Sequence, residues 1–372
     1  MSTAQADGHA GLVEALYARG LLDETWRAVW HAVPREPFIP RRAWRQTPTA
    51  CVPLTSEADR LNLIHSDEPV VIQLDDGEPD GPGTATSSNS QPSMVARMLR
   101  LLSVEDGHRV LEIGTASGYV AALLSRRLGD SAVYSVEVDP GLAHHAVAVL
   151  RAAGYRPNLA CGDGEQGWPD EAPFDRIVAT CALREVPHAL VRQLTPGGVL
   201  VAPMARDFWS GALVQLTADG GGEAAGRFWD GASYMPMRSH RPADPLPVDR
   251  ASHRVADARV DPGELLTLGF AVYAGTRLPA VRMWHADRDG GAEVWLQDPD
   301  GCAASAATGE AAHEYGVRNL WQEVERVHEE YLALGSPGAH DFGLTVTAHG
   351  QRVWLHHPGR IIEPAPVHRP RP

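Results

Sequence analysis

Residues 109–118 read Arg-Val-Leu-Glu-Ile-Gly-Thr-Ala-Ser-Gly, and residues 133–140 read Val-Tyr-Ser-Val-Glu-Val-Asp-Pro. In the first stretch an apolar run carries Glu112 near its end. It gives way to a loop of small residues, Gly114, Thr115, Ala116, Ser117 and Gly118, and then to the apolar helix Val120–Leu128. In the second, Ala132–Val136 runs into Glu137 and Val138. A small-residue loop at the carboxyl end of a parallel strand lets a ligand approach the backbone, and an acid ending the next strand can accept two ribose hydroxyls. The dinucleotide pattern would need glycines at 114, 116 and 119, where this chain has Gly114, Ala116 and Tyr119. No Lys follows the loop, so it is not a P-loop. Two acids without a pyrophosphate receptor fit S-adenosylmethionine, whose sulfonium and ammonium groups favour nearby carboxylates.

Further residues fall into the same pattern. Asp163 and Gly164, in Cys161-Gly162-Asp163-Gly164, end the third strand region. Asp163 there is either an acceptor for the adenine amino group or a plain Asx turn. Glu112 either orders the loop N–H groups or meets the ligand's ammonium. Gly114 and Gly118 serve close approach or simply turn the chain. The expected cofactor set is Glu112, Gly114, Thr115, Ser117, Gly118, Glu137, Val138, Asp163 and Gly164. Thr84–Pro92 packs five hydroxyls into nine residues directly before a helix. Helix-start N–H groups with serine hydroxyls make an anion receptor suited to a carboxylate substrate; the plainer reading is a linker with a serine N-cap. No metal is expected: the histidines show no ligand spacing, and Cys51, Cys161, Cys181 and Cys302 form no CxxC pair. Tyr119, Trp168 and Trp209 read first as core packing.

These residues need a scaffold, and the spacing supplies one. Strands are expected at 109–113, 132–137, 157–160, 175–181, 198–203 and 211–216, with helices at 117–128, 140–153 and 184–194. This alternation implies a parallel, doubly wound sheet. Upstream, apolar spacing predicts a helical segment over 10–32, an extended or turning Val33–Pro40 with three prolines, a loop over 75–92 and a helix after Pro92. Downstream, 239–259 reads as a linker. Hairpins follow at Val281–Gln297 and Leu344–His356, with a helix over Tyr315–Leu334. We divide the chain into an N-terminal segment 1–80, a core 81–216 and a C-terminal α+β module 217–372. The 372 residues carry 33 Lys and Arg against 47 Asp and Glu, a net charge of −14. That balance repels nucleic-acid backbones, and the basic clusters Pro34–Arg45 and Pro366–Pro372 are short. No apolar run is long enough to span a membrane, and the polar N-terminus shows no signal peptide. The expectation is a cytoplasmic enzyme with no nucleic-acid or membrane partner; the oligomeric state stays open.

With these motifs in place, residues 12–215 resemble the protein-L-isoaspartate O-methyltransferases. The resemblance rests on Val33-Pro34-Arg35-Glu36 with Phe38 and Pro40, on Ser90-Gln91-Pro92, and on Val110–Gly118. It extends through Gly162-Asp163-Gly164, Gly167-Trp168-Pro169, Ala172–Val178 and Gln193–Gly198. It implies a class I, Rossmann-like methyltransferase core, S-adenosylmethionine as cofactor, ribose contact from Glu137 and adenine contact from Asp163. It also implies that Ser90 faces the substrate carboxylate and methyl group. Ser88 and Ser87 would help orient that carboxylate, and Thr180 and Cys181 would border the pocket. Ala116 departs from the usual loop glycine. The hydroxyl-rich loop and a tail beyond 217 that the repair enzymes are expected to lack look like a subgroup acting on ribosomal peptides, the graspetides and some lanthipeptides. That subgroup is similar to the repair enzymes but methylates an ordinary L-aspartate, and the ester then closes to an aspartimide. The expected partner is a ribosomal precursor peptide, already crosslinked. Rival readings are isoaspartyl repair, a small-molecule or nucleic-acid methyltransferase, and a binding scaffold that kept the fold.

Overall fold

The computed structural model describes residues 8–366; residues 1–7 and most of the basic C-terminal cluster, 367–372, lie outside the described residues. The chain forms two compact units. The first comprises the chain through Cys181, with Pro187–Ala202 and Thr217–Glu223. The second comprises Ala182–Val186, Pro203–Leu216 and the chain from Ala224 onward.

The first unit begins with α1 (Gly8–Ala18) and α2 (Glu24–Ala32), where the periodicity had predicted one helical segment. Gly20 at φ +69 breaks it, and Asp23 caps α2 by accepting from the Trp26 N–H at 2.7 Å. The proline-rich stretch that follows holds only a 3-10 turn, Glu36–Phe38. Next comes a four-stranded sheet not read from the sequence: β1 (Trp44–Gln46), β2 (Cys51–Pro53), β3 (Val70–Leu74) and β4 (Ala85–Asn89), with α3 (Glu57–Ile64) between β2 and β3. Its order is β2-β1-β3-β4, and the pairs are antiparallel. The expected loop over 75–92 thus contains the strand β4. The Thr, Ser and Asn side chains that hid β4 fit a half-buried strand once Val70–Leu74 supplies the ladder. Pro92 opens α4 (Pro92–Leu102); of its predicted face, Val95, Met98, Leu99 and Leu102 are buried and Met94 is half-buried.

The alternating region follows as read: β5 (Val110–Ile113), α5 (Tyr119–Leu128), β6 (Val133–Glu137), α6 (Pro140–Ala152), β7 (Asn158–Cys161) and β8 (Phe174–Ala179). The predicted helix 184–194 shrinks to α7 (His188–Val191), because Pro187 cannot sit inside a helix. β9 (Leu194–Arg206) belongs to this unit through Ala202. The parallel order is β9-β8-β5-β6-β7. The chain moves one way from β5 to β6 and β7, then returns to β5's other side with β8, which is the switch point of a doubly wound sheet.

In the second unit, β10 (Trp209–Ala218), which belongs to it through Leu216, and β11 (Ala224–Gly231) are followed by the expected linker. That linker is not wholly irregular, since it carries β12 (Arg254–Ala256). Then come α8 (Leu268–Arg277), β13 (Arg282–Arg288), β14 (Gly291–Gln297), β15 (Ala303–Ala307), β16 (Ala312–Tyr315), α9 (Leu320–Ala333), β17 (Phe342–Thr347) and β18 (Gly350–Leu355). One sheet runs β10-β11-β17-β18 and the other β12-β16-β15-β14-β13. Both predicted hairpins form, β13 with β14 and β17 with β18. α8 was missed because glycines interrupt its pattern. Gly275 is needed there, since a Cβ would lie 2.5 Å from the Trp209 indole nitrogen. No helix among the described residues is long and apolar enough to cross a membrane.

Candidate active site

The carboxyl ends of β6 and β8 flank that of β5: Ile113 pairs with Val136 on one side and Ala179 on the other. The Gly114–Gly118 loop emerges between them. The Gly114 N–H donates to the Val136 carbonyl at 2.8 Å, and the Thr180 N–H donates to the Ile113 carbonyl at 2.9 Å. Both glycines have left-handed φ, yet what they approach is protein. A Cβ on Gly114 would lie 2.9 Å from Thr180 Oγ1, and one on Gly118 would lie 3.0 Å from Leu150 Cδ1. Ala116 holds φ +47 without being glycine, a conformation that costs an L-residue about 1–2 kcal/mol.

The two acids play different structural parts. Glu112 is 1% exposed. It accepts from Ser135 Oγ at 2.6 Å, and Ser135 Oγ lies 2.6 Å from Thr115 Oγ1. Of its two expected roles, this chain favours ordering the loop. Burial pushes the Glu112 carboxyl up to about 8, against the pull of the Ser135 hydrogen bond. Glu137 is also buried. Its Oε2 accepts from the Ala116 N–H at 2.8 Å and its Oε1 from the Asp139 N–H at 3.0 Å. A carboxylate offers about four acceptor positions, so holding the loop is compatible with also receiving a hydroxyl. Beside it Val138 is 42% exposed, an apolar face next to an acid. The Gly162 N–H donates to the Glu137 carbonyl at 2.9 Å, which brings Asp163 to the same end of the sheet. Asp163 is exposed and accepts from the Glu165 N–H at 3.0 Å, the Asx geometry; Gly164 behind it is buried.

Strand alternation divides the serines that the sequence grouped. Ser87 and Asn89 are the buried positions of β4, while Ser88 is half-buried, as is Ser90 just beyond the strand. Ser87 therefore does not share a face with Ser88 and is not brought together with it on one carboxylate. The anion receptor expected at the start of α4 needs a second correction: the protein's own Asp67 takes the Ser93 N–H at 2.7 Å.

Two residues that sequence reasoning passed over tie the segments together. Asn89 Nδ2 donates to Ser117 Oγ at 2.8 Å, and Asn89 Oδ1 accepts from Arg35 Nε at 2.6 Å. Arg35 is fully buried and also donates to the carbonyls of Ile64, Glu68, Asn89 and Ser90, at 3.1, 2.9, 3.1 and 3.1 Å. Burial lowers its pKa to about 10, so it stays charged at neutral pH. The Pro34-Arg35-Glu36 motif was the visible signal, but not its job of fixing Ser90 beside the donor loop. Thr180 Oγ1 donates to the Gly114 carbonyl at 2.6 Å. Burial pushes the Cys181 thiol up to about 12, with Glu137 and Glu112 adding to the rise, so it is uncharged at neutral pH. Tyr119 is core, its hydroxyl donating to the Val33 carbonyl at 3.3 Å and its ring against Trp30 and Phe38.

The donor set fits S-adenosylmethionine: buried acids at adjacent strand ends and an exposed apolar side chain beside one of them. The doubly wound sheet with this loop defines a class I S-adenosylmethionine-dependent methyltransferase. Residues 7–241 match the protein-L-isoaspartate(D-aspartate) O-methyltransferase family. A protein-L-isoaspartate O-methyltransferase 2 of Anaeromyxobacter sp. (strain Fw109-5) is 36% identical over 217 residues, covering 58% of this chain and 77% of that protein. A protein-L-isoaspartate O-methyltransferase of Methylorubrum extorquens (strain PA1) is 35% identical over 244 residues, covering 65% and 93%. The chain belongs to the protein-L-isoaspartate(D-aspartate) O-methyltransferase family, and it is an S-adenosylmethionine-dependent protein carboxyl methyltransferase. A solved structure of a protein-L-isoaspartate O-methyltransferase shares the fold at 20% identity and TM-score 0.55. It spans 93% of this chain and 99% of its own. The shared fold therefore extends beyond residue 217.

The tail's tryptophans separate in the same way. Trp321 and Trp354 are buried and serve the core. Trp284, 45% exposed, and Trp295 face each other across β13 and β14.

Proposed function

We propose that this enzyme methylates the carboxylate of an isoaspartyl residue in a polypeptide. The observation that carries the reading is the line Arg35–Asn89–Ser117, which fixes Ser90 and its carbonyl to the donor loop. Bound there, the donor supplies an electrophilic methyl on a cationic sulfur. Glu137, Val138 and Asp163 would hold its nucleoside, and Glu112 would keep the loop in shape through Ser135 and Thr115. An ionised carboxylate is already a nucleophile, so no general base is needed. The donor held by Glu137, Val138 and Asp163 would supply the methyl group that the carboxylate takes up. What remains for the protein is alignment and exclusion of water. Ser90, with Ser88, would donate to the carboxylate, and Thr180 and Cys181 would wall the pocket. The test is methyl transfer from labelled donor to a short isoaspartyl peptide and to its aspartyl twin. Transfer confined to the isoaspartyl peptide is expected; no transfer to it would sink the reading.

A second reading is an L-aspartate of a crosslinked ribosomal peptide, the ester losing methanol to give an aspartimide. The exposed Trp284, paired across the hairpin with the half-buried Trp295, favours it, since aromatic surfaces suit a folded peptide. Net loss of one water from a crosslinked peptide, with its linear form inert, is the mass-spectrometric outcome that would select it.

A further inference from the structure

The second unit carries a cleft of about 330 Å³ that the methyl-transfer chemistry does not use. Trp209, Tyr234, Pro236 and Trp284 line it, together with three arginines, Arg184, Arg206 and Arg282. Three arginines around one cleft are unexpected in a chain of net charge −14.

Two of the three are engaged. Arg184 grips Asp207 with both nitrogens, Nη1 to Oδ1 at 2.8 Å and Nη2 to Oδ2, and Arg282 donates to the Ala243 carbonyl. Arg206 differs. Burial pulls its pKa down; the charges of Glu185 and Asp207 oppose that and Arg184 adds to it, but no hydrogen bond contributes. Among the described residues nothing pairs with its guanidinium, and a desolvated, unpaired charge is costly to keep. An arginine fork is matched geometrically by a carboxylate. The aromatic and proline walls suit an apolar neighbour of that carboxylate, and the volume lies at the small end of ligand pockets.

We propose that this cleft docks an acidic residue of a peptide, its Asp or Glu carboxylate on Arg206 and the flanking residue against Trp209, Tyr234 and Trp284. The inference rests on the reading that the substrate is a polypeptide, and it adds a determinant for acidic sequence away from the methylated carboxylate.

The test measures binding rather than turnover. A blocked, fluorescein-labelled peptide Gly-Leu-Asp-Leu-Asp-Gly is titrated with the full-length protein by anisotropy, beside its twin with Asn at both Asp positions. Wild type should prefer the acidic peptide by about tenfold to a hundredfold, the range of a charge-assisted pair. Arg206→Met should abolish the preference while affinity for S-adenosylhomocysteine stays unchanged. Arg206→Lys, which keeps the charge but loses the fork, should retain part of it and carries the test if the Met variant does not fold. Equal affinity for the two peptides in wild type overturns the proposal. So does a preference that survives Arg206→Met, or free acetate competing as well as the peptide. Absence of methyl transfer to any peptide would instead remove the functional reading and leave the docking result standing.

Discussion

Glu112→Gln tests whether the acid beneath the donor loop is neutral in the folded enzyme. Burial is the main cause of its rise from an ordinary 4.5 to about 8; the Ser135 hydrogen bond opposes it and the charge of Glu137 adds to it. A raised folded value means that the unfolded chain ionises first. The stability held by the neutral carboxyl is complete below about pH 4.5, falls as pH rises toward 8, and stops falling once the folded carboxyl ionises too. At about 1.4 kcal/mol per pH unit, that window holds on the order of 5 kcal/mol, of which roughly 3 is lost between pH 5 and 7. Glutamine preserves the size and an oxygen for Ser135 Oγ, but does not titrate. The stability of Glu112→Gln relative to wild type should therefore climb from pH 5 to pH 8 and level off above. Urea unfolding of both proteins by tryptophan fluorescence, at pH steps from 5 to 9, reads this directly. Parallel stability curves would refute the reasoning, since they would mean that Glu112 ionises equally in both states.

Glu137→Ala should weaken S-adenosylhomocysteine binding by about 1.5–3 kcal/mol, because a charged acceptor is lost and the loop loses its hold on the Ala116 N–H; unchanged calorimetric affinity would remove the assignment. Ser90→Ala should lower the rate of methyl transfer far more than donor affinity, whereas Ser87→Ala, on the buried face of β4, should leave the rate near wild type; equal kinetic losses would mean the face is misread. Ala116→Gly should stabilise the enzyme by about 0.5–1 kcal/mol, the relief of left-handed strain less the added freedom of the unfolded chain. A lower melting temperature would contradict the φ of +47 at that position.

Much of this enzyme is written locally. The doubly wound core follows from apolar runs alternating with amphipathic stretches, and β5, β6, β7 and β8 fall within a residue or two of their expected limits. Both C-terminal hairpins follow from a turn glycine between strand-like runs, Gly290 and Gly350, each with left-handed φ. Glu112, the Gly114–Gly118 loop and Glu137 were legible because strand, loop and acid recur at fixed chain distances, and local order places them at one end of the sheet.

What the sequence could not carry depended on distant partners. β4 is polar enough to pass for a loop until β3 pairs with it, and only that pairing sets which serines face which way. Arg35 lies 54 residues from Asn89, and a lone arginine says nothing of the carbonyls of Ile64, Ser66, Glu68, Asn89 and Ser90 that receive it. The receptor expected at the start of α4 failed because Asp67, 26 residues upstream, folds onto it. Trp284 and Trp321 are alike in sequence; one stands exposed on a hairpin and the other is fully buried. Motif spacing fixes which residues a fold brings to one end of a sheet, because strand and helix geometry act over short chain distances. Hydrogen-bond saturation and burial are properties of the packed chain, and the tertiary structure alone decided how each acid holds the loop, which serines of β4 are buried and which arginine, among the described residues, is left unpaired.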